Sequence, residues 1–141
     1  MGRWETFDHT ADVGLIVTAT DLDDLFRTAA EALFDYIVVN RSEVRKSVHD
    51  EIRLASDDTA ELLACWLNEL IYLSETKHLL FTEFQVTVSP DGRSLVAVIS
   101  GEPVDRDRHE LDHEVKAVTR HGLELDRAED GNWVARLILD I

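Results

Sequence analysis

The strongest constraint in this sequence is a change of period partway along it. Leu22, Leu25, Phe26, Ala29, Ala30, Leu33, Phe34 and Ile37 recur at helical spacing, a pattern that an α-helix gathers into one apolar stripe. Thr20 or Asp21 caps this run, and Asp23 and Asp24 suit the positive end of a helix. A second stripe follows in Leu62, Leu63, Trp66, Leu67, Leu70, Ile71 and Leu73. Asp58 stands three residues before Glu61 there, a capping-box pattern with Asp in the Ser/Thr position. Beyond Phe81 the period falls to two. Residues 84–88 lead through Ser89-Pro90-Asp91-Gly92 into 95–99, and 115–119 and 123–125 follow. A turn at Glu129-Asp130-Gly131-Asn132 opens a last strand. Residues 14–19 alternate as well, and Val44, Val48, Ile52 and Leu54 share one parity, which predicts a strand over about 44–54.

Two helices interrupting mostly sequence-adjacent strands predict the α+β class. The expectation is a single domain over residues 1–141, with a largely antiparallel β-sheet and two amphipathic helices at about 21–38 and 58–75. At 141 residues and 45% hydrophobic the chain is long enough to bury a proper core. No linker, repeat or low-complexity segment divides it.

Charge narrows the function classes. Lys+Arg total 14 against 29 Asp+Glu, a formal net charge of −15, which argues against a broad nucleic-acid-binding face. An acidic chain suits cations, basic protein surfaces or a salty medium. Only three lysines (Lys46, Lys77, Lys116) stand against sixteen aspartates, which predicts a host with a high-salt interior that screens self-repulsion. The melting temperature followed by circular dichroism is then expected to rise from dilute to molar salt; indifference to salt would sink the idea. No run of roughly 18 uncharged apolar residues exists to span a membrane, and the N-terminus lacks a secretory pattern. Cys65 is the single cysteine; it excludes an internal disulfide, fits a reducing cytoplasm and reads as a small core residue. The expected location is cytoplasmic.

Four stretches carry possible chemistry. Asp8 and Asp12 are short oxygen ligands on a predicted bend, and His9 between them could orient one. Two aspartates four apart are common, so local turn hydrogen bonding accounts for them first. The second stretch is the end of the sequence. If the last strand is ordered to its final atom, the Asp140 side chain and the Ile141 α-carboxylate lie close together and repel unless a cation separates them. A solvated chain end and an ion site are both open. Hard oxygens of this kind select calcium or magnesium, and no Cys/His set has zinc spacing.

The third stretch is residues 112–122. Alternation predicts Val115, Ala117 and Thr119 on one face and Glu114, Lys116 and Val118 on the other. Lys116 is a lone lysine there; pairing with Glu114 or a cross-strand acid is the ordinary case and contributes little. His121 before Gly122 reads as a turn histidine. The fourth is Asn68-Glu69 on the polar side of the second helix, available to a partner or to capping a neighbouring loop. No Ser/His/Asp order, phosphate loop or general acid–base pair stands out, which weakens a stand-alone metal-dependent hydrolase.

In combination these stretches resemble the archease family, the small protein partner of the tRNA-splicing RNA ligase. The resemblance rests on HTADVG at 9–14, WLNELIYL at 66–73, GE at 101–102, EVKAVT and HGL between 114 and 123, and the closing LDI, and it covers essentially the whole chain. It implies a non-catalytic activator that promotes transfer of GMP onto the ligase's own catalytic histidine and allows repeated turnover. It further implies a bound divalent metal, calcium, held by Asp12, the Asp140 side chain and the Ile141 carboxylate. Lys116 matches a lysine implicated in activation. The implied partner is the ligase, with tRNA reached only through it and no membrane. Asp8, His9 and His121 would support the site. Arg120 departs from the aromatic residue that relatives often carry before HGL. An older reading of the family, a chaperone-like modulator of a tRNA cytosine methyltransferase, remains an alternative.

Overall fold

The computed structural model describes residues 2–9 and 12–141. The chain order is β1 (Arg3–His9), β2 (Asp12–Ala19), α1 (Leu22–Ile37), β3 (Val48–Ala55), α2 (Thr59–Lys77), β4 (Leu79–Val88), β5 (Ser94–Pro103), β6 (Ala117–Arg127) and β7 (Trp133–Asp140). The strands form two antiparallel sheets rather than one, β1-β2-β7-β6 and β3-β5-β4. The expected α+β class therefore holds, and both helices fall where their stripes require.

Local chemistry sets the helix ends. Asp21, not Thr20, caps α1, its carboxylate accepting the Asp24 N–H at 2.8 Å. Asp58 accepts the Glu61 N–H at 2.8 Å, but the capping box is only half made. The Glu61 carboxylate turns outward to Arg120 of β6 instead. The α2 helix runs past the predicted 75 to Lys77 and stops at His78, which adopts φ 55° and returns its N–H to the Ser74 carbonyl.

Each helix touches both sheets. The α1 helix lies against β4 and β2, and α2 against β6, β4 and β3. Between them Phe26, Phe34, Trp66 and Phe81 are fully buried. Phe34 meets Phe81 edge-on at 5.7 Å, and Trp66 meets Phe84 edge-on at 6.3 Å, arrangements that aromatic quadrupoles favour. The Trp66 indole N–H donates to the Phe26 carbonyl at 3.0 Å, so the largest core side chain buries no unsatisfied donor.

Two strand expectations need correction. The strand predicted from 44 begins at Val48: Val44 closes a short 3-10 turn, Arg41–Glu43, and packs with Val38 and Leu80 in a satellite cluster. Its shared parity with Ile52 came from burial in a different place. The segments 115–119 and 123–125 are one strand, β6, interrupted by a bulge. Thr119 pairs with Ile138 and Glu124 with Arg136, so residues 120–123 face the single β7 residue Leu137. Val115 precedes the strand and is buried together with Val118, so the predicted two-face split of 114–119 does not hold.

Candidate functional site at one end of the four-stranded sheet

Strand register assembles the candidate residues. In β1 and β2, His9 pairs with Asp12 and Asp8 with Val13. In β2 and β7, Val13 pairs with Leu139, and continuing that register sets Asp12 opposite Asp140. Asp140 in turn pairs with Ala117 at the start of β6. The row His9, Asp12, Asp140, Ala117 crosses the sheet at one end. Lys116, next to this row, donates its backbone N–H to the Asp140 carbonyl at 2.8 Å. Residues more than a hundred positions apart meet there because antiparallel pairing superposes the start of β2 on the end of β7. Thr10 and Ala11 of the HTADVG stretch lie outside the described residues.

Directly opposed residues of an antiparallel pair have their Cβ atoms about 5 Å apart, and like charges in that relation repel. Asp12 is half-buried, and Asp140 and Ile141 are exposed. Two hard carboxylates brought face to face favour an oxygen-seeking cation such as calcium. Among the described residues no three His, Cys, Asp or Glu side chains gather to hold a metal ion; Asp12 and Asp140 are two oxygen-bearing side chains that could serve one.

Lys116 is exposed, and its ammonium makes no hydrogen bond or ion pair among the described residues. The other two lysines are paired, Lys46 with Glu83 and Lys77 with Asp50, each at 2.9 Å. The ordinary fate of a surface cation therefore applies to them and not to Lys116. Asp8 is exposed on β1. His121 is exposed in the β6 bulge, its N–H donating to the Thr119 hydroxyl at 3.1 Å, and lies away from the Asp12–Asp140 row.

Asn68 is not left for a partner. Its side-chain amide accepts the Val118 N–H at 2.8 Å and donates to the Val118 carbonyl at 3.1 Å. It thereby completes the outer edge of β6 at the point where the strand leaves Lys116. Arg120 stacks a second tie on the same edge, its guanidinium forked onto Glu61 at 2.7–3.2 Å, and each partner favours the charged form of the other. Cys65 is only half-buried beside this pair. Burial, followed by the Glu61 charge, pushes its thiol up, which keeps it protonated and inert.

Sequence reasoning missed the buried anchor of this region. Glu102 is 5% exposed, and its carboxylate accepts from the Arg108 guanidinium at 2.7 and 3.0 Å, the Arg45 N–H at 2.5 Å and His109 Nε2 at 3.1 Å. The Asp105 N–H donates to His109 Nδ1, so that nitrogen is the acceptor and Nε2 carries the proton given to Glu102. The Arg108 bond first, then those of Arg45 and His109, hold the Glu102 carboxyl down at about 2. One carboxylate thus ties the end of β5 to the chain before β3 and to the loop that leads toward Lys116. The GE pair at 101–102 was the available signal. Its glycine has a separate cause: a Cβ on Gly101 would stand 1.9 Å from the Leu80 carbonyl oxygen. Gly14 is equally constrained, because the Phe7 ring lies 2.0 Å from where its Cβ would be and carries the Arg136 guanidinium 4.3 Å from its centroid.

Fold and site together define an acidic α+β protein that presents opposed carboxylates and an unpaired lysine at one end of a sheet. The sequence matches the Archease protein family (MTH1598/TM1083) over residues 4–141. It is 37% identical to Protein archease of Pyrococcus furiosus, with each chain covered in full. It is 39% identical to Protein archease of Methanopyrus kandleri, over 98% of this chain and 99% of that one. The solution structure of Methanobacterium thermoautotrophicum protein 1598 superposes with a TM-score of 0.84 at 37% identity, covering 98% of both chains. The chain belongs to the archease family. The crystal structure of a Thermotoga maritima archease shares the fold, with a TM-score of 0.66 at 18% identity over 97% of this chain and 96% of that one.

Proposed function

We propose that this protein is a non-catalytic activator of the tRNA-splicing RNA ligase, promoting guanylylation of the ligase's catalytic histidine and repeated turnover. The observation that carries the reading is the meeting of Asp12, Asp140 and Lys116, from three separate stretches of sequence, at one sheet end. Family membership supports a role that works through a protein partner. The acidic surface suits docking on a basic one, which speeds encounter and fixes orientation.

In this reading Asp12, Asp140 and the Ile141 carboxylate would hold a divalent cation, calcium by the hardness of their oxygens. The ion supplies positive charge that offsets carboxylate repulsion. Lys116, held beside Asp140 through its backbone N–H, offers its unpaired ammonium to a nucleotide phosphate in the ligase site. The Asn68 amide and the Glu61–Arg120 pair hold β6, and the Glu102 cluster holds the loop before it, so the lysine is presented from a fixed backbone.

The test is stimulation of ligation by purified components. Lys116→Ala is expected to cut stimulation by about tenfold or more, the consequence of losing one charged phosphate contact of roughly 1.4 kcal/mol or above. Full stimulation by that variant would remove the lysine's role. Capture of partners from the native host should recover the ligase; recovery of a tRNA methyltransferase in its place would favour the chaperone reading.

A further inference from the structure

We infer that the groove between the end of α1, the last turns of α2 and the 104–114 loop docks a basic, aliphatic-anchored segment of a protein partner. The partner is the ligase, and the inference rests on the proposed function. The cavity holds about 390 Å³. Ile37, Leu80, Val104 and Leu111 give it an apolar floor, with Leu111 37% exposed. That volume takes an aliphatic side chain together with the stem of a lysine or arginine.

Charge selects the occupant. Glu75 of α2 and Asp112 and Glu114 of the loop rim the groove, against Arg106 and His113. The Glu75 and Glu114 carboxylates make no hydrogen bond or ion pair among the described residues. They are exposed carboxylates whose charge no neighbour spends. Such a rim repels RNA phosphates and anionic lipid, and it repels the same rim on a second copy of a chain with net charge −15. A cationic segment with an apolar anchor satisfies both floor and rim.

The wall is built before anything binds. The Val39 N–H donates to the Glu110 carbonyl and the Asp112 N–H to the Ile37 carbonyl, each at 2.8 Å. Val38 and Leu111 form a β-bridge. Tyr36 stacks on His113 with ring centroids 4.2 Å apart. A fixed wall lowers the ordering cost of association. The same wall runs on through Glu114 to Lys116, so a segment seated in the groove brings its parent protein against the sheet end.

The experiment titrates wild-type protein, Leu111→Ser, and the double variant Glu75→Lys/Glu114→Lys against the purified ligase at two salt concentrations, reading stimulation. A fourth protein, Glu129→Lys/Asp130→Lys, changes net charge equally at the β6–β7 turn. The groove variants should need about tenfold more protein for half-maximal stimulation while reaching the same maximum. The double variant should lose salt dependence, and the distant variant should stay within about twofold of wild type. Circular dichroism melts of these exposed substitutions check that folding is intact. Unchanged half-maximal concentrations alongside normal wild-type stimulation overturn the groove alone. A ligase that ignores wild-type protein overturns the proposed function and the groove assignment with it. Self-association lost in the groove variants with ligase response unchanged gives the groove to a second copy and overturns the assignment.

Discussion

Replacing Glu102 by alanine is expected to lower unfolding stability by about 3 kcal/mol, the upper end of what hydrogen bonds to one buried charged group contribute. For a domain of this size that is a fall in melting temperature of about 10 °C. Four donors converge on this carboxylate from Arg45, Arg108 and His109. Glu102→Gln keeps the volume and removes the charge, so it isolates the electrostatic part. The sign follows from the direction of the shift. The folded carboxyl is held at about 2, below its ordinary value of 4.5. Its stabilisation is therefore complete above pH 4.5 and lost as the pH falls toward about 2. Urea unfolding of wild type and Glu102→Gln at a series of pH values should give a difference that is constant near neutrality and shrinks on acidification. A difference that does not change with pH would show that shape, not charge, makes Glu102 important.

The second large effect is the response to calcium. At a free concentration one hundred times the dissociation constant, a ligand that binds only the folded state stabilises it by about 2.7 kcal/mol, which at this size raises the melting temperature by about 8 °C. Wild-type protein should show that rise, and Asp140→Asn should not. Without divalent cations the order should reverse. Removing one of two carboxylates opposed across β2 and β7 relieves repulsion worth about 0.2–1 kcal/mol, so Asp140→Asn should melt slightly above wild type. The crossing of the two curves is the signature of a cation site. Parallel curves with and without calcium would mean that Asp12 and Asp140 hold no cation. Adding one residue beyond Ile141 tests the terminal carboxylate separately, since it moves that charge without touching either aspartate.

Much of the fold was legible because it rests on local periodicity. The stripes from Leu22 and Leu62 specify helices wherever they are packed, and Asp21 and Asp58 cap them through bonds spanning three residues. The candidacy of Asp12, Asp140 and Lys116 came from the family resemblance and not from spacing. Glu102 was hidden because its partners, Arg45, Arg108 and His109, are ordinary residues until a loop folds back on β5. Asn68 was legible in part: bonding a neighbouring segment was one of its two readings, but nothing local shows that the segment is the edge of β6 at Val118.

The division follows the range of the interactions. The sequence by itself determined two helices, a set of antiparallel strands, an acidic surface and the chemistry of the oxygen donors, because each depends on residues a few positions apart. Only the tertiary structure decided that β2 and β7 pair in a register that opposes Asp12 and Asp140. It also decided that, among the described residues, Lys116 alone of the lysines has no side-chain partner, and that the 104–114 loop closes a groove against both helices. Those outcomes depend on which distant segments bury each other, and no local pattern carries that information.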